Sequence, residues 1–281
     1  MAEQRVVALL GVGIVPPDTP ILRADDLGVL RGDGVFETVH VRGGRPWLLD
    51  EHLARMARSA ARLDIPLPPT SSLVDLAGQA CTGWPADAEG ALRLVCTRGS
   101  EDHGPATVFA TLAAVSEVTL RARQAGVAVA TATLGIAASA RATAPWLLGG
   151  AKTLSYAVNM ASQRWAQSVG ADDVLWLSSD GYALEAPTST LVWRDGYRLA
   201  TVPAEATGIL PGTTARFLLD HAGALGLSAV ERMITPAELS TVDGAWLLSS
   251  VRGIAEIRSL DGNPLPLSPD TERLRGVLGY L

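Results

Sequence analysis

One lysine, Lys152, is the residue of this sequence whose chemistry is hardest to replace. The chain has 281 residues, and of its 23 lysines and arginines 22 are arginine. Arginine keeps its charge and cannot act as an amine nucleophile, whereas lysine can lose its proton and react with an aldehyde. The count alone fits either a coding bias against lysine or a need for one primary amine. The residues around Lys152 must decide between these explanations.

A carboxylate follows the lysine at a distance of 33 residues, at Glu185. An amine that holds an aldehyde and a carboxylate that keeps a pyridine nitrogen protonated are two requirements of pyridoxal phosphate chemistry. The protonated ring then stabilises a carbanion at the substrate carbon. Lys152 and Glu185 are therefore the two groups that we predict to act on this cofactor, Lys152 on its aldehyde and Glu185 on its ring nitrogen.

Three further segments could hold the phosphate of the same cofactor. Gly212–Thr214 opens a predicted helix, and amides at a helix N-terminus bind phosphate well. Ser249 and Ser250 add hydroxyl groups at the end of a predicted strand, and Arg55 supplies a fixed charge from a helix. Each feature alone has an ordinary structural explanation, since a hairpin glutamate or a helix arginine is usually a solvated surface charge. Only their order and spacing together predict a site.

Composition excludes several other classes of function. A net charge of −6 argues against nucleic acid or an anionic membrane as the main partner. Cys81 and Cys96 lack CxxC spacing, and the four histidines form no metal-binding pair, so we expect no metal site and reduced thiols in a cytoplasmic protein. The apolar run Val6–Val15 is too short to span a membrane, and we predict a buried strand there.

The elements that must position these residues alternate between strands and helices. Two Asp-Gly turns, at 180–181 and 195–196, predict hairpins, and Asp50 is the predicted N-cap of a helix over Glu51–Leu63. The predicted apolar stripe of this helix is Leu53, Met56, Ala60 and Leu63. A second helix is predicted from behind Lys152 to about Val169. Other predicted strands cover Val35–Val41, Leu92–Thr97, Thr107–Val115, Val127–Leu134 and Ala245–Leu248. The mixture predicts an α+β protein, with the polar stretch 116–126 connecting two domains.

Five segments together resemble a known family. They are Arg31–Thr38, His52–Arg55, Lys152–Asn159, Leu184-Glu185 and Gly208–Thr214. In this order, and over nearly the whole chain, they resemble the fold-type IV pyridoxal phosphate enzymes. These include branched-chain aminotransferases, D-amino acid aminotransferases and aminodeoxychorismate lyases. The resemblance implies a smaller N-terminal α+β domain over residues 1–118, a larger domain over 119–281 with the cofactor between them, and a homodimer.

The resemblance also implies which residues hold the cofactor. Arg55 would bind the phosphate from its helix, and Leu210 would lie against the ring. Thr213 and Thr214 would offer backbone amides to the phosphate, and Ser250 would complete that site. The family's Gly-Ile-Thr-Arg loop reads Gly-Thr-Thr-Ala here, a change that a backbone contact tolerates.

The implied reaction is the conversion of 4-amino-4-deoxychorismate into 4-aminobenzoate and pyruvate, a step of folate biosynthesis. Lys152 would act as the general base, and Thr38 would donate a proton to the departing enolpyruvate. Arg98, His103 and Tyr156 are the candidates for substrate contacts. Two alternatives remain: an aminotransferase acting on D-amino or branched-chain amino acids, and a protein that binds the cofactor without turnover.

Overall fold

The computed structural model describes residues 5–101 and 104–280, and the chain divides into two compact units. Unit 1 contains the chain up to Ser116 together with Ala151–Tyr156. Unit 2 contains Glu117–Gly150 and the chain from Ala157 onward. The predicted division after residue 118 assigned Lys152 to the C-terminal domain, whereas its segment belongs to unit 1. Across the described residues, no helix is both long and apolar enough to cross a membrane.

Unit 1 is built on an antiparallel sheet. In the part of the chain described, its strands lie in the order β2-β1-β6-β5-β3-β4. The elements are β1 (Arg5–Leu9), β2 (Gly13–Val15), α1 (Leu27–Leu30), β3 (Gly34–Arg42), β4 (Arg45–Pro46), α2 (Leu49–Arg62), α3 (Thr70–Cys81), β5 (Gly90–Thr97) and β6 (Val108–Ala114). The predicted strands at Val35, Leu92 and Thr107 are therefore present, and all three pair antiparallel.

The segment that carries Lys152 adds to the edge of β3. Thr153 forms an antiparallel bridge with Val35. The amide of Phe36 donates to the carbonyl of Lys152 at 3.2 Å, and the amide of Leu154 donates to the carbonyl of Gly34 at 2.9 Å. Lys152 is therefore held in extended backbone, which explains why the predicted helix begins five residues later.

The core of unit 1 follows from the period of two in β3. Val35, Val39 and Val41 alternate onto one face and join a cluster with Leu53 and Met56 of α2. The predicted apolar stripe of this helix is confirmed. The predicted N-cap is wrong: α2 begins at Leu49, after Leu48 in left-handed conformation. Asp50 lies in the first turn instead, where its negative charge complements the helix dipole.

The apolar run at the N-terminus is a hairpin rather than the single strand that we predict from sequence. β1 pairs with β2 through the register of Val7 with Val15. Gly11 and Gly13 have φ values of 78° and 100°, which non-glycine residues rarely adopt, and they turn the chain.

Unit 2 contains a mixed sheet in the order β11-β10-β9-β12-β13-β7-β8, with β14 beside β13, as far as the structure is described. The pairs β10/β11, β13/β7 and β7/β8 are parallel and the others antiparallel. Its elements are α4 (Glu117–Ala125), β7 (Val127–Thr133), α5 (Ala140–Thr143), a 3-10 helix (Pro145–Leu147), α6 (Ala157–Ser168), β8 (Asp173–Leu177), β9 (Thr190–Asp195), β10 (Arg198–Thr201), α7 (Ala204–Thr207), α8 (Thr213–Asp220), a 3-10 helix (Ala222–Leu225), β11 (Ser228–Glu231), α9 (Pro236–Leu239), β12 (Gly244–Ser249), β13 (Gly253–Leu260), β14 (Asn263–Pro264) and α10 (Thr271–Leu278).

Both predicted Asp-Gly hairpins are present in unit 2. The second joins β9 to β10, with Asp195 opposite Arg198. In the first, the amide of Leu184 donates to the carbonyl of Trp176, and the amide of Trp176 donates to the carbonyl of Glu185. The hairpin therefore places Glu185 opposite a buried tryptophan at the end of its second arm.

Candidate active site

The amine of Lys152 lies in a corner formed by two aromatic rings of unit 1. Its Nζ donates a hydrogen bond to Tyr156 Oη at 3.0 Å and lies 4.4 Å from the centroid of the Phe36 ring. The two rings meet edge to face, with centroids 5.0 Å apart. The backbone amide of Lys152 donates to Ser59 Oγ at 3.0 Å. This corner orients the amine and sets a phenol beside it that can exchange a proton with it.

Arg55 is linked to the same corner through Ser59, whose hydroxyl donates to the carbonyl of Arg55 at 3.0 Å. Its guanidinium forms a two-point ion pair with Glu37: Nε contacts Oε1 at 2.7 Å, and Nη2 contacts Oε2 at 2.8 Å. This pair uses two of its five N–H groups. Unit 1 therefore brings Arg55 and Lys152 together, while the phosphate contact of Arg55 stays a prediction.

Glu37 is the main feature of unit 1 that the sequence-based prediction missed. Its side chain is fully buried and also contacts His52 Nδ1 at 2.7 Å. Burial raises the pKa of Glu37, but Arg55 and His52 outweigh it and hold that pKa at about 2. Burial also lowers the pKa of His52, which favours the neutral imidazole, and an Nδ1–H tautomer would donate to the carboxylate. The available signal was a carboxylate on the apolar face of a strand, between Val35 and Val39.

Glu185 is held in unit 2 by two hydrogen bonds to different oxygens. Arg141 Nη1 donates to Oε1 at 2.8 Å, and the amide of Leu210 donates to Oε2 at 3.1 Å. The structure thus brings together two of the predicted cofactor residues, Glu185 and Leu210. It adds Arg141, which no sequence motif singles out.

The N-terminus of α8 fits a phosphate group. Gly212 is the N-cap and supplies no side chain to the amides of the first turn, which are the groups that bind anions at helix ends. A Cβ on Gly212 would lie 2.2 Å from Thr190 Oγ1, so only glycine fits there. The hydroxyl of Thr214 is buried and has no hydrogen-bond partner among the described residues. Such a hydroxyl beside helix amides matches the needs of a phosphate oxygen.

The turn that contains Ser249 and Ser250 is held from two sides. Ser249 ends β12, and the next residue, Ser250, is 9% exposed. Arg123 donates to the carbonyls of the two following residues, Val251 at 2.8 Å and Arg252 at 3.0 Å. The Tyr280 hydroxyl donates to the carbonyl of Ser250. The hydroxyl groups predicted to contact the phosphate therefore stand on a turn that has little freedom.

The candidate substrate residues have different outcomes. Arg98 contacts Asp33 through Nε at 2.6 Å and the carbonyls of Leu63 and Asp64, which makes it an anchor for its own loop in the described structure. His103 lies outside the described residues. Tyr156 contacts Lys152 as described above.

Thr38 lies on β3 opposite Arg93, on the alternate face from Glu37. Its predicted role as a proton donor, like the substrate contacts, stays a prediction.

Comparison with known proteins decides the family. A model of the amino-transferase class IV family matches residues 34–260. The chain belongs to this family. It is 41% identical over 276 residues, 95% of each chain, to the bifunctional aminodeoxychorismate lyase / D-amino acid transaminase of Mycobacterium tuberculosis. The predicted resemblance is therefore confirmed at the level of the family.

Two solved structures give the same result for the fold. The PLP-bound form of a hypothetical aminotransferase from Mycobacterium tuberculosis is 40% identical, with a TM-score of 0.94 over 98% of this chain and 97% of that one. A fold IV transaminase from Curtobacterium pusillum is 34% identical, with a TM-score of 0.91 over 99% and 100% of the two chains. The predicted α+β, fold-type IV class is confirmed.

Proposed function

We propose that this class IV enzyme converts 4-amino-4-deoxychorismate into 4-aminobenzoate and pyruvate. The observation that carries the chemistry is the sole lysine, whose amine stands 3.0 Å from the Tyr156 hydroxyl. The choice of reaction is supported by 41% identity over 95% of the chain to a protein whose name includes aminodeoxychorismate lyase.

Pyridoxal phosphate is the cofactor, and the described residues fit it. When bound, it supplies an aldehyde and an electron-accepting ring. Lys152 would hold the aldehyde, Glu185 the ring nitrogen, and Leu210 one face of the ring. The amides at the start of α8 and the Thr214 hydroxyl would hold the phosphate. The best evidence for this is that the Thr214 hydroxyl is buried and has no hydrogen-bond partner in the part of the chain that the structure describes. Arg55, Thr213, Ser249 and Ser250 are the remaining candidates on the phosphate.

The side chains divide the proton transfers between them. Lys152 Nζ, as a neutral amine, accepts the proton from the substrate carbon that bears the amino group. Tyr156 Oη lies within hydrogen-bond reach and can relay that proton, and the Phe36 ring lies on another side of the amine, 4.4 Å from Nζ. Glu185 holds the proton at the ring nitrogen. Thr38 donates a proton to the departing enolpyruvate, and the remaining ring becomes aromatic.

Transamination of D-amino acids is the second candidate, because the name of the 41% identical relative also includes D-amino acid transaminase. In that reaction Lys152 Nζ would accept the same proton and later donate it again, and the cofactor, when bound, would supply the electron-accepting ring. The two activities differ in the bond that breaks after the proton leaves, and one protein can carry out both.

A pair of assays on the purified holoenzyme tests both candidates. 4-Amino-4-deoxychorismate should release aminobenzoate and pyruvate in equal amounts, measured by fluorescence and by coupling to lactate dehydrogenase. Lys152→Ala and Lys152→Arg should both be inactive, because arginine keeps the charge but supplies no amine nucleophile. Turnover of D-alanine without pyruvate from aminodeoxychorismate would refute the first candidate. A protein without visible cofactor absorption, unchanged by borohydride, would favour binding without turnover.

We further propose that the protein is a cytoplasmic homodimer. Trp146, Val158 and Trp165 of unit 2 are 79%, 62% and 43% exposed in the single chain, and such apolar groups are often covered by a second copy. Cys81 and Cys96 are both free and buried, which suits a reducing compartment. Light scattering on a size-exclusion column should give twice the mass of one chain, and a monomer at micromolar concentration would contradict the dimer.

A further inference from the structure

The ion pair between Arg141 and Glu185 is the strongest feature of unit 2 that the proposed reaction does not yet use. The Arg141 side chain is 18% exposed and that of Glu185 is 9% exposed, so water screens the pair only weakly. Arg141 Nη1 donates to Oε1 at 2.8 Å. The other oxygen, Oε2, accepts the Leu210 amide.

The backbone at Arg141 is fixed by two glycines. A Cβ on Gly208 would lie 2.7 Å from the Cβ of Arg141, and a Cβ on Gly149 would lie 2.4 Å from its carbonyl oxygen. The φ of Gly208 is also +67°, which favours glycine. The amide of Gly150 donates to the carbonyl of Gly208 at 2.8 Å and joins the two glycine segments. The Arg141 side chain therefore starts from a backbone position that has little freedom to move.

The guanidinium of Arg141 also lies near an aromatic ring. Its guanidinium carbon lies 5.7 Å from the centroid of the Trp176 ring, and Trp176 is buried. The backbone of Trp176 is hydrogen-bonded to that of Glu185 through the hairpin, at 3.0 Å. Arg141 thus meets the glutamate and the residue opposite it in the same hairpin.

We propose that Arg141 is a positioning residue that fixes the Glu185 carboxylate for its contact with the ring nitrogen of the cofactor. A carboxylate has two oxygens and about four acceptor directions. Arg141 occupies one direction on Oε1 and Leu210 one on Oε2, so the two contacts together set the plane of the carboxylate. The inference rests on the proposed cofactor and on the proposed role of Glu185.

A purely structural ion pair is the competing explanation, and it makes a different prediction. If the pair only joins α5 to the hairpin, its loss should destabilise unit 2 and lower the affinity for every ligand by a similar factor. If Arg141 acts through Glu185 on the ring nitrogen, its loss should weaken only a ligand that has that nitrogen. An analogue of pyridoxal phosphate with carbon in place of the ring nitrogen separates the two.

The experiment titrates apoprotein with pyridoxal phosphate and with this carbon analogue. Wild-type protein should bind pyridoxal phosphate more tightly than the analogue. Arg141→Met should lower the affinity for pyridoxal phosphate roughly 10- to 100-fold, the range for loss of a hydrogen bond to a charged group. The affinity for the analogue should stay unchanged. Arg141→Lys keeps the positive charge but lacks the planar guanidinium. Its affinity for pyridoxal phosphate should lie between those of the wild type and Arg141→Met.

Arg232 offers a matched control in the same unit. It pairs with Asp195 at 3.0 Å and lies 5.3 Å from the centroid of the Trp193 ring, so its contacts resemble those of Arg141 without Glu185. Arg232→Met should leave the affinity for both ligands unchanged. Thermal melting of each apoprotein reports any loss of stability separately from binding.

Each outcome decides the inference. Equal weakening of both ligands by Arg141→Met, or no change in either, would overturn it in favour of a structural ion pair. If Arg141→Met does not fold, Arg141→Lys carries the comparison, and an unchanged preference for the ring nitrogen in that variant would also overturn it. A wild-type protein that binds neither ligand would refute the cofactor assignment and the inference with it. A wild-type protein that binds both ligands equally would refute the role of Glu185 and the inference with it, while leaving the cofactor assignment intact.

Discussion

Replacing Glu37 by glutamine should destabilise unit 1 while leaving the shape of the side chain almost unchanged. In the folded protein this carboxylate accepts two bonds from Arg55 and contacts His52, all at 2.7 or 2.8 Å, and it is fully buried. Glutamine removes the negative charge and leaves the guanidinium of Arg55, whose side chain is 5% exposed, without its counter-charge.

The size of the loss can be obtained in two ways. The pKa of Glu37 falls from 4.5 to about 2 on folding, which corresponds to about 3 kcal/mol of stabilisation at neutral pH. Breaking a buried ion pair by removing one partner typically costs about 3–5 kcal/mol. Both routes lead us to expect a loss of about 3 kcal/mol in the free energy of unfolding of unit 1.

The effect has a defined pH dependence. Because folding lowers the pKa of Glu37, its stabilisation is complete above about pH 4.5 and disappears as pH falls toward about 2. Protonated glutamic acid then resembles glutamine, so the difference in stability between wild type and Glu37→Gln should shrink over that interval. The same difference should be constant between pH 6 and pH 8, on the basis that the carboxylate stays ionised there.

Thiol labelling measures the stability of unit 1 alone. The only cysteines of the chain, Cys81 and Cys96, both lie in unit 1 and are buried, and burial raises the pKa of each thiol to about 11. Their labelling rate in low urea therefore reports the opening of that unit. A matched control is Glu89→Gln, because Glu89 also contacts a histidine at 2.7 Å but is 36% exposed, and it should cost less than about 1 kcal/mol. If Glu37→Gln costs no more than this control, the reasoning is refuted.

Three smaller predictions concern the cofactor site. Gly212→Ala should lower the affinity for pyridoxal phosphate at least about tenfold in a fluorescence titration, because the new Cβ would lie 2.2 Å from Thr190 Oγ1. Adding Thr190→Ala to this variant should restore binding. Tyr156→Phe should lower kcat roughly 10- to 100-fold at unchanged melting temperature, because it removes only the hydroxyl that contacts Lys152. Thr214→Val should stabilise the apoprotein by up to about 1 kcal/mol in urea unfolding, because it replaces a buried hydroxyl that has no partner among the described residues. The same substitution should lower the affinity for the cofactor.

The sequence was sufficient for features that depend on local pattern. The Asp-Gly turns predict the hairpin that carries Glu185, because that turn fits the twist of antiparallel strands. The stripe of Leu53, Met56 and Ala60 predicts the buried face of α2. These signals are short in range, and the structure keeps them.

The sequence was insufficient where distant residues decide the local structure. Lys152 precedes a helical pattern, but pairing with β3 holds it extended, and no periodicity around residue 152 contains that information. The partners Glu37 and Arg141 escaped notice for a related reason. A charged residue shows its role only through the group that it contacts, and those groups lie 18 and 44 residues away in the chain.

The pairing of Thr153 with Val35 has a consequence for dissecting the protein. A fragment that ends at Ser116 would contain nearly all of unit 1, yet it would lack the segment that covers this edge of β3. The amide of Phe36 and the carbonyl of Gly34 would then face solvent on an edge bordered by apolar side chains, and such edges recruit strands from other molecules. A stable version of the fragment would need residues 151–156 attached through a new linker. Lys152, the residue on which the proposed chemistry depends, thus also belongs to the segment that covers the edge of β3 in unit 1.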